Sequence, residues 1–198
     1  MKDFNVVLAG VGGQGTLLAA EALGIAAVTE GLNARVSEIH GMAQRGGTVV
    51  STVRIGKNVF ASTVIEGQAD VLLGFEPLET LRNLKYASET TLVLLNTERI
   101  VPTELAAKNL RYPNIEEIVQ KIQSFTHKIV LVDAPELARK AGSSLTQNVV
   151  LLGALAGTKL LPVKNESLVL AVKQLVPEKY LNTNMKAFEL GFACTKET

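Results

Sequence analysis

The chain has 198 residues, 47% hydrophobic, 20% charged and 5% aromatic, and its 20 basic and 19 acidic side chains leave a formal charge of +1. That length suits one domain, the composition is too apolar and too balanced for intrinsic disorder, and no basic excess exists to drive counterion-release binding to nucleic acid. A single cysteine, Cys194, and two histidines, His40 and His127, exclude an intrachain disulfide, a self-contained iron–sulfur cluster and a structural zinc site.

In chain order, residues 4–9 (FNVVLA) form a short β-branched apolar run, the mark of a buried strand. They break at the glycine-rich residues 10–15 (GVGGQG). Residues 16–30 are rich in Ala and Leu around most of the helical circumference, predicting a helix packed tightly on a sheet, with Gly31-Leu32-Asn33 as its C-cap and turn. Strands are predicted at 34–39, 48–55, 59–65 and 70–75, with Gly56-Lys57-Asn58 as a turn. Glu76-Pro77 starts a helix that runs to about Tyr86, proline suiting the first helical position. Glu76 and Glu79 read as charges that favour a helix N-terminus, not as an acid–base pair.

A strand at 91–95, a helix at 115–124 and a strand at 128–132 follow. Helices at 134–141, 147–156, 166–175 and 178–193 complete the chain, with Thr146 as the cap of the second of these. Asn148, inside an apolar helix, reads as a capping or interface hydrogen bond. Ser143-Ser144 has no evident His–acid partners and is not a nucleophile. Alternating strands and helices predict an α/β fold, a Rossmann-like open and mostly parallel sheet. The strands between 34 and 65 lie too close in sequence for helical crossovers, so that portion is antiparallel. The C-terminal third is helical, and 1–198 is one domain. No run of about 18 apolar residues is present to cross a bilayer. The opening Met1-Lys2-Asp3-Phe4 lacks a secretory core, so a reduced, cytoplasmic location is expected, with no membrane or nucleic-acid partner.

Two loops carry chemistry. Gly10, Gly12 and Gly15 fit G-x-G-x-x-G between a strand and a helix, where backbone N–H groups approach an anion at a helix N-terminus. In a dinucleotide site an acid about 20 positions on holds the ribose, and Glu38 is the candidate. The same glycines also serve close helix–sheet packing, and both readings stand. The second loop, residues 40–47 (HGMAQRGG), is longer than the two to five residues a hairpin needs and polar, which marks a binding loop. Arg45 can grip a carboxylate or phosphate with two parallel hydrogen bonds, and His40 can donate to an anion or move a proton. Both loops follow strand carboxyl ends, the usual ligand crevice of open α/β sheets.

These motifs resemble the gamma-type domain of the 2-oxoacid:ferredoxin oxidoreductases. The resemblance rests on residues 10–15 (GVGGQG), 37–47 (SEIHGMAQRGG) with 48–54 after them, 70–82 (DVLLGFEPLETLR), Tyr112-Pro113, 148–154 (NVVLLGA) and the terminal helix at 184–191. It spans about the whole chain in the expected order. In a free-standing chain this wording is most similar to family members acting on aryl 2-oxoacids such as indolepyruvate. Relatives acting on pyruvate, 2-oxoglutarate or branched-chain 2-oxoacids are the alternative, as is an independent NAD-binding protein built on Glu38.

The resemblance implies an oxidoreductase subunit. In the family, thiamine diphosphate with magnesium decarboxylates the 2-oxoacid, iron–sulfur clusters pass electrons to ferredoxin, and coenzyme A takes the acyl group. The thiamine and the clusters are implied on a larger alpha partner. This chain has no Gly-Asp-Gly for a thiamine–magnesium site and one cysteine where a cluster needs four thiolates. No cofactor is therefore held by it alone, its contribution is positional or electrostatic, and contact with coenzyme A is the further implication. The candidate site is a backbone cradle at Gly12, Gly13, Gln14 and Gly15 beside His40, Gln44 and Arg45. Gly46 and Gly47 serve loop geometry.

Overall fold

The computed structural model describes residues 2–41, 46–101 and 111–196. Six strands form one sheet: β1 (Phe4–Val11), β2 (Asn33–His40), β3 (Thr48–Gly56), β4 (Val71–Gly74), β5 (Leu92–Asn96) and β6 (Ile129–Val132), in the order β2-β3-β1-β4-β5-β6. β1, β4, β5 and β6 are mutually parallel, while β3 runs antiparallel to both β1 and β2. The open α/β sheet with an antiparallel portion is thus the expected one.

β1 is buried on both faces, which is why it reads as a continuous apolar run. Its alternate residues feed two cores. Val6 and Leu8 join the face packed by α1 (Thr16–Thr29) and the C-terminal helices, and Val7 and Ala9 join the face packed by Ile118 and Ile122. The short α2 (Pro77–Arg82) follows β4, and α3 (Ile115–Gln123) is started by a reciprocal capping box between Asn114 and Glu117. The C-terminal third is helical as expected: α4 (Ala134–Ala141), α5 (Gln147–Gly157), α6 (Asn165–Leu175) and α7 (Leu181–Thr195).

α5 is buried from Asn148 to Gly157 and crosses α7 with almost no clearance. A Cβ at Gly153 would collide with the Phe188 carbonyl oxygen, and one at Gly191 with that of Val150. Gly31 takes φ 76°, and the N–H of Leu32 reaches back to the Ala27 carbonyl at 3.0 Å, closing α1 as the sequence implies.

Two expectations need correction. Residues 59–65 do not form a strand. Side chains of β3 hold its carbonyls in place of a ladder: Thr52 Oγ1 donates to Ser62 O at 2.9 Å and Arg54 to Ala61 O at 3.1 Å. Val59 and Val64 are buried and Phe60 and Ile65 are in solvent; the two buried valines lie an odd number of positions apart, which breaks the period-2 alternation of a half-buried strand. Thr146 also makes no capping bond to α5. Its hydroxyl donates instead to Ser143 O at 2.8 Å, closing a single 3-10 turn before the helix.

Candidate functional site

The glycine loop leaves β1 at Val11 and enters α1 at Thr16. Gly13 and Gly15 take φ of 103° and 76°, so both turns need a residue without a Cβ. A Cβ at Gly13 would meet nothing within 4 Å, whereas one at Gly15 would sit 2.5 Å from Asn148 Nδ2. Gly15 is therefore tight because α5 lies on it, and Gly13 is open. Asn148, expected to make a capping or interface hydrogen bond, packs its amide on the loop, and its Oδ1 accepts from the next N–H, that of Val149.

Not every amide of the loop points to a ligand. Gly12 N–H donates to Gly47 O at 2.8 Å, and Gly46 N–H returns to Gly12 O at 3.4 Å. These two bonds sew the glycine loop to the end of the 40–47 loop, so the two candidate loops do converge. Gln14 does not join a cradle. Its Oε1 accepts from Val11 N at 2.8 Å and its Nε2 donates to Phe75 O at 2.9 Å, clamping the end of β1 to the end of β4. The N-terminus of α1, by contrast, has no side-chain cap and no acid in its first turn. Its leading N–H groups and positive dipole end are what remain for an anion.

The Gly12-Gly13 ridge divides two clefts. One, of about 330 Å³, lies toward α5 and is walled by Gln14, Phe75, Asn96, Glu98, Ile100 and Gln147 among others. The other, of about 390 Å³, lies toward β2 and brings Gly12, Gly13 and Gly15 together with Thr16, Glu38 and His40. Of the sequence candidates, then, Gly12, Gly13, Gly15 and His40 share a cleft and Gln14 faces the other way. Gln44 and Arg45 lie outside the described residues. His40 is exposed, with Nδ1 3.2 Å from Gly41 O. Glu38 accepts from Ser51 Oγ at 3.3 Å.

A further group escaped the sequence reading. Sequence marks Glu76 and Glu79 as helix-end charges, and Glu76 does cap α2, accepting from Glu79 N at 2.9 Å. Yet Glu76 is 0% and Glu79 1% exposed. The other oxygen of Glu76 accepts a short hydrogen bond from the Tyr112 hydroxyl and one from Ile100 N at 3.3 Å. Burial pushes the Glu76 carboxyl above its ordinary value, against the lowering pull of Tyr112 and the backbone donors. The Tyr112 hydroxyl is raised by burial and by the carboxyl it faces. Glu79 binds Arg82 at 2.6 Å through one oxygen, while its second, buried oxygen has no partner among the described residues. The available signal is position: Glu76 comes just beyond a wholly buried strand, after Phe75, and precedes a proline at the helix start.

Among the described residues no group of three or more His, Cys, Asp or Glu side chains is placed to hold a metal ion. No described helix is long and apolar enough to cross a membrane. Cys194, the lone thiol, donates to Gly191 O at 3.0 Å in the last turns of α7. The donor set therefore does not fit an iron–sulfur cluster.

The sequence profile of the family described as pyruvate ferredoxin/flavodoxin oxidoreductase matches residues 5–194. The chain is 44% identical over 198 residues to the indolepyruvate oxidoreductase subunit IorB of Pyrococcus horikoshii, covering 100% of this chain and 98% of that one. Among solved structures, the gamma subunit of a keto/oxoacid ferredoxin oxidoreductase from Geobacter sulfurreducens superposes with a TM-score of 0.71 at 25% identity, over 98% of this chain and 99% of that one. The 2-oxoglutarate:ferredoxin oxidoreductase of Magnetococcus marinus shares the fold at a TM-score of 0.77 and 18% identity, with this chain matching 32% of its length.

Proposed function

We propose, for a chain that belongs to the pyruvate ferredoxin/flavodoxin oxidoreductase family, that it is the beta subunit of an indolepyruvate (aryl 2-oxoacid) ferredoxin oxidoreductase. The observation that carries this is whole-length similarity, 39–44% identity, to four chains bearing the name indolepyruvate oxidoreductase subunit IorB. The common gamma subunits of pyruvate/ketoisovalerate oxidoreductases stand further off, at 27–29%. In this reading residues 1–198 are a single gamma-type domain with no activity alone. The larger alpha partner holds thiamine diphosphate, magnesium and the clusters, and hands electrons to ferredoxin in the cytoplasm.

This chain's own part is to present a shaped, positively polarised ridge. The uncapped N-terminus of α1, open Gly13 and neighbouring His40 favour an anionic group such as the phosphates of coenzyme A. Gln44 and Arg45, in the loop sewn to the ridge at Gly46 and Gly47, are assigned to the same contact or to the alpha subunit's surface. Gln14 serves it indirectly, by fixing the ridge to β4. Co-expression with a thiamine-carrying alpha subunit tests the assignment. The complex should reduce ferredoxin or a dye with indolepyruvate and coenzyme A, and a fully active complex lacking this chain refutes it. Arg45→Ala separates ligand from scaffold: raised KM for coenzyme A with intact assembly supports the ligand contact, and normal kinetics supports a scaffold.

The independent NAD-binding reading is not favoured. It needs the ribose-binding acid at the end of the strand beside β1, and here β3 lies between β1 and Glu38-bearing β2.

A further inference from the structure

The two oxygens of Glu76 do different work. Oε2 accepts from Glu79 N, which is all that capping α2 requires. Oε1 faces away from that task and accepts from Ile100 N on one side and from the Tyr112 hydroxyl on the other. Ile100 follows β5 and Tyr112 precedes α3, so one carboxyl grips the chain at both ends of the β5–α3 crossover. Tyr112 is held a second time, its hydroxyl accepting from Leu78 N at 3.2 Å. Residues near the gripped end are wall residues: Glu98 and Ile100 face the 330 Å³ cleft beside the glycine ridge, and so does Phe75, the residue before Glu76. The Phe75 carbonyl is itself fixed by Gln14 and by Asn96, at 2.9 and 3.0 Å. A carboxyl that is 0% exposed at this junction is more than a cap needs.

We propose that Glu76 is a positioning residue: through Ile100 N and the Tyr112 hydroxyl it fixes the crossover wall of the α5-side cleft, and so sets the affinity of that cleft for the part of a coenzyme A-type ligand that crosses the Gly12-Gly13 ridge from the anion contact beside His40. The last clause rests on the proposed function; the clamp itself does not. Glu76→Asp keeps the charge and a strong N-cap residue but shortens the side chain by one methylene, so the α2 cap survives while the reach to Ile100 and Tyr112 is lost. Tyr112→Phe removes the hydroxyl's bonds to Glu76 and to Leu78 N and leaves the Glu79 N–Glu76 cap bond in place.

Both variants are made in the co-expressed complex and compared by hydrogen exchange and steady-state kinetics. Exchange at residues 97–101 is expected to rise about ten-fold or more in Glu76→Asp, the loss of one hydrogen bond to a carboxyl group, and in the same direction in Tyr112→Phe as the carboxyl loses the hydroxyl that fixes it, with residues 79–82 unchanged. KM for coenzyme A is expected to rise several-fold with kcat within about two-fold, a split that a loss of folded protein does not produce. Unchanged exchange at 97–101 in both variants overturns the clamp, and Tyr112→Phe decides alone if Glu76→Asp does not fold. Faster exchange with an unchanged KM supports the clamp and refutes the α5-side cleft as the coenzyme A site.

Discussion

Gln14 looks from sequence like a ligand-facing amide in a glycine loop, and its geometry predicts a different loss when it is removed. Gln14→Ala deletes two hydrogen bonds of 2.8 and 2.9 Å. Their losses differ. Phe75 O keeps the Asn96 amide at 3.0 Å, so its cost is small. Val11 N–H loses its acceptor on a residue only 2% exposed, and an orphaned buried donor costs about 1–3 kcal/mol. We expect about 2 kcal/mol in all. For a chain of this size that is a fall in Tm of roughly 4–8 °C. Gln14→Glu should be worse, because its second carboxylate oxygen faces the Phe75 carbonyl with no proton between them. Thermal and urea unfolding of the purified chain measure both. An unchanged Tm in Gln14→Ala, joined to a lost response to coenzyme A, would refute the clamp and restore Gln14 to the ligand.

Other outcomes follow from particular contacts. Gly191→Ala gains about 1 kcal/mol of helix propensity but drives a Cβ into the Val150 carbonyl; overpacking of about 3 kcal/mol or more should win, read as a net loss of about 2 kcal/mol in urea unfolding. Gly13→Ala meets no neighbour, only φ 103°, so it should cost about 1 kcal/mol of stability while weakening any anion held on the ridge, read by equilibrium binding. Because the Glu76 carboxyl titrates above 4.5 in the folded chain, the folded state binds its proton more tightly than the unfolded state does. Its stabilising contribution is then fullest below 4.5 and declines as pH rises through the folded value. The stability difference between wild type and Glu76→Gln, measured across pH 4–8, should change in that direction. Burial pushes the Cys194 thiol up, so alkylation by iodoacetamide at neutral pH should be slower than that of a free thiol.

Much of this architecture is legible because local and global signals agree. The β-branched run of β1, the proline at the first position of α2 and the crowded strands between 34 and 56 each admit one arrangement. What the chain hides is side-chain destination. Gln14, Glu76 and Tyr112 are polar residues in or beside loops, where solvent or ligand is the ordinary partner. Their burial depends on which strand ends the sheet brings together. Gln14 spans β1 to β4, residues 61 apart at Phe75, and Glu76 reaches Tyr112 36 positions away. No periodicity carries such pairings. The 59–65 segment is apolar enough for a strand but meets no open edge at β3, which already pairs with β1 and β2, and the Thr52 and Arg54 side chains take its carbonyls instead.

The antiparallel β3 also decides what the glycine motif can mean. Neighbouring strands lie about 4.8 Å apart, so inserting β3 between β1 and β2 carries the Glu38 strand roughly two spacings, about 10 Å, from the glycine-bearing one. A dinucleotide held by its pyrophosphate on α1 would meet β3 first. In that position stand Thr48 and Val49 at the start of β3, neither a carboxylate for a ribose. The same insertion brings Gly46 and Gly47, which precede β3, against Gly12. The strand that separates the Glu38 strand from β1 is therefore the strand that delivers the second loop to the ridge. A fingerprint that elsewhere grips a dinucleotide here becomes a ridge between two clefts.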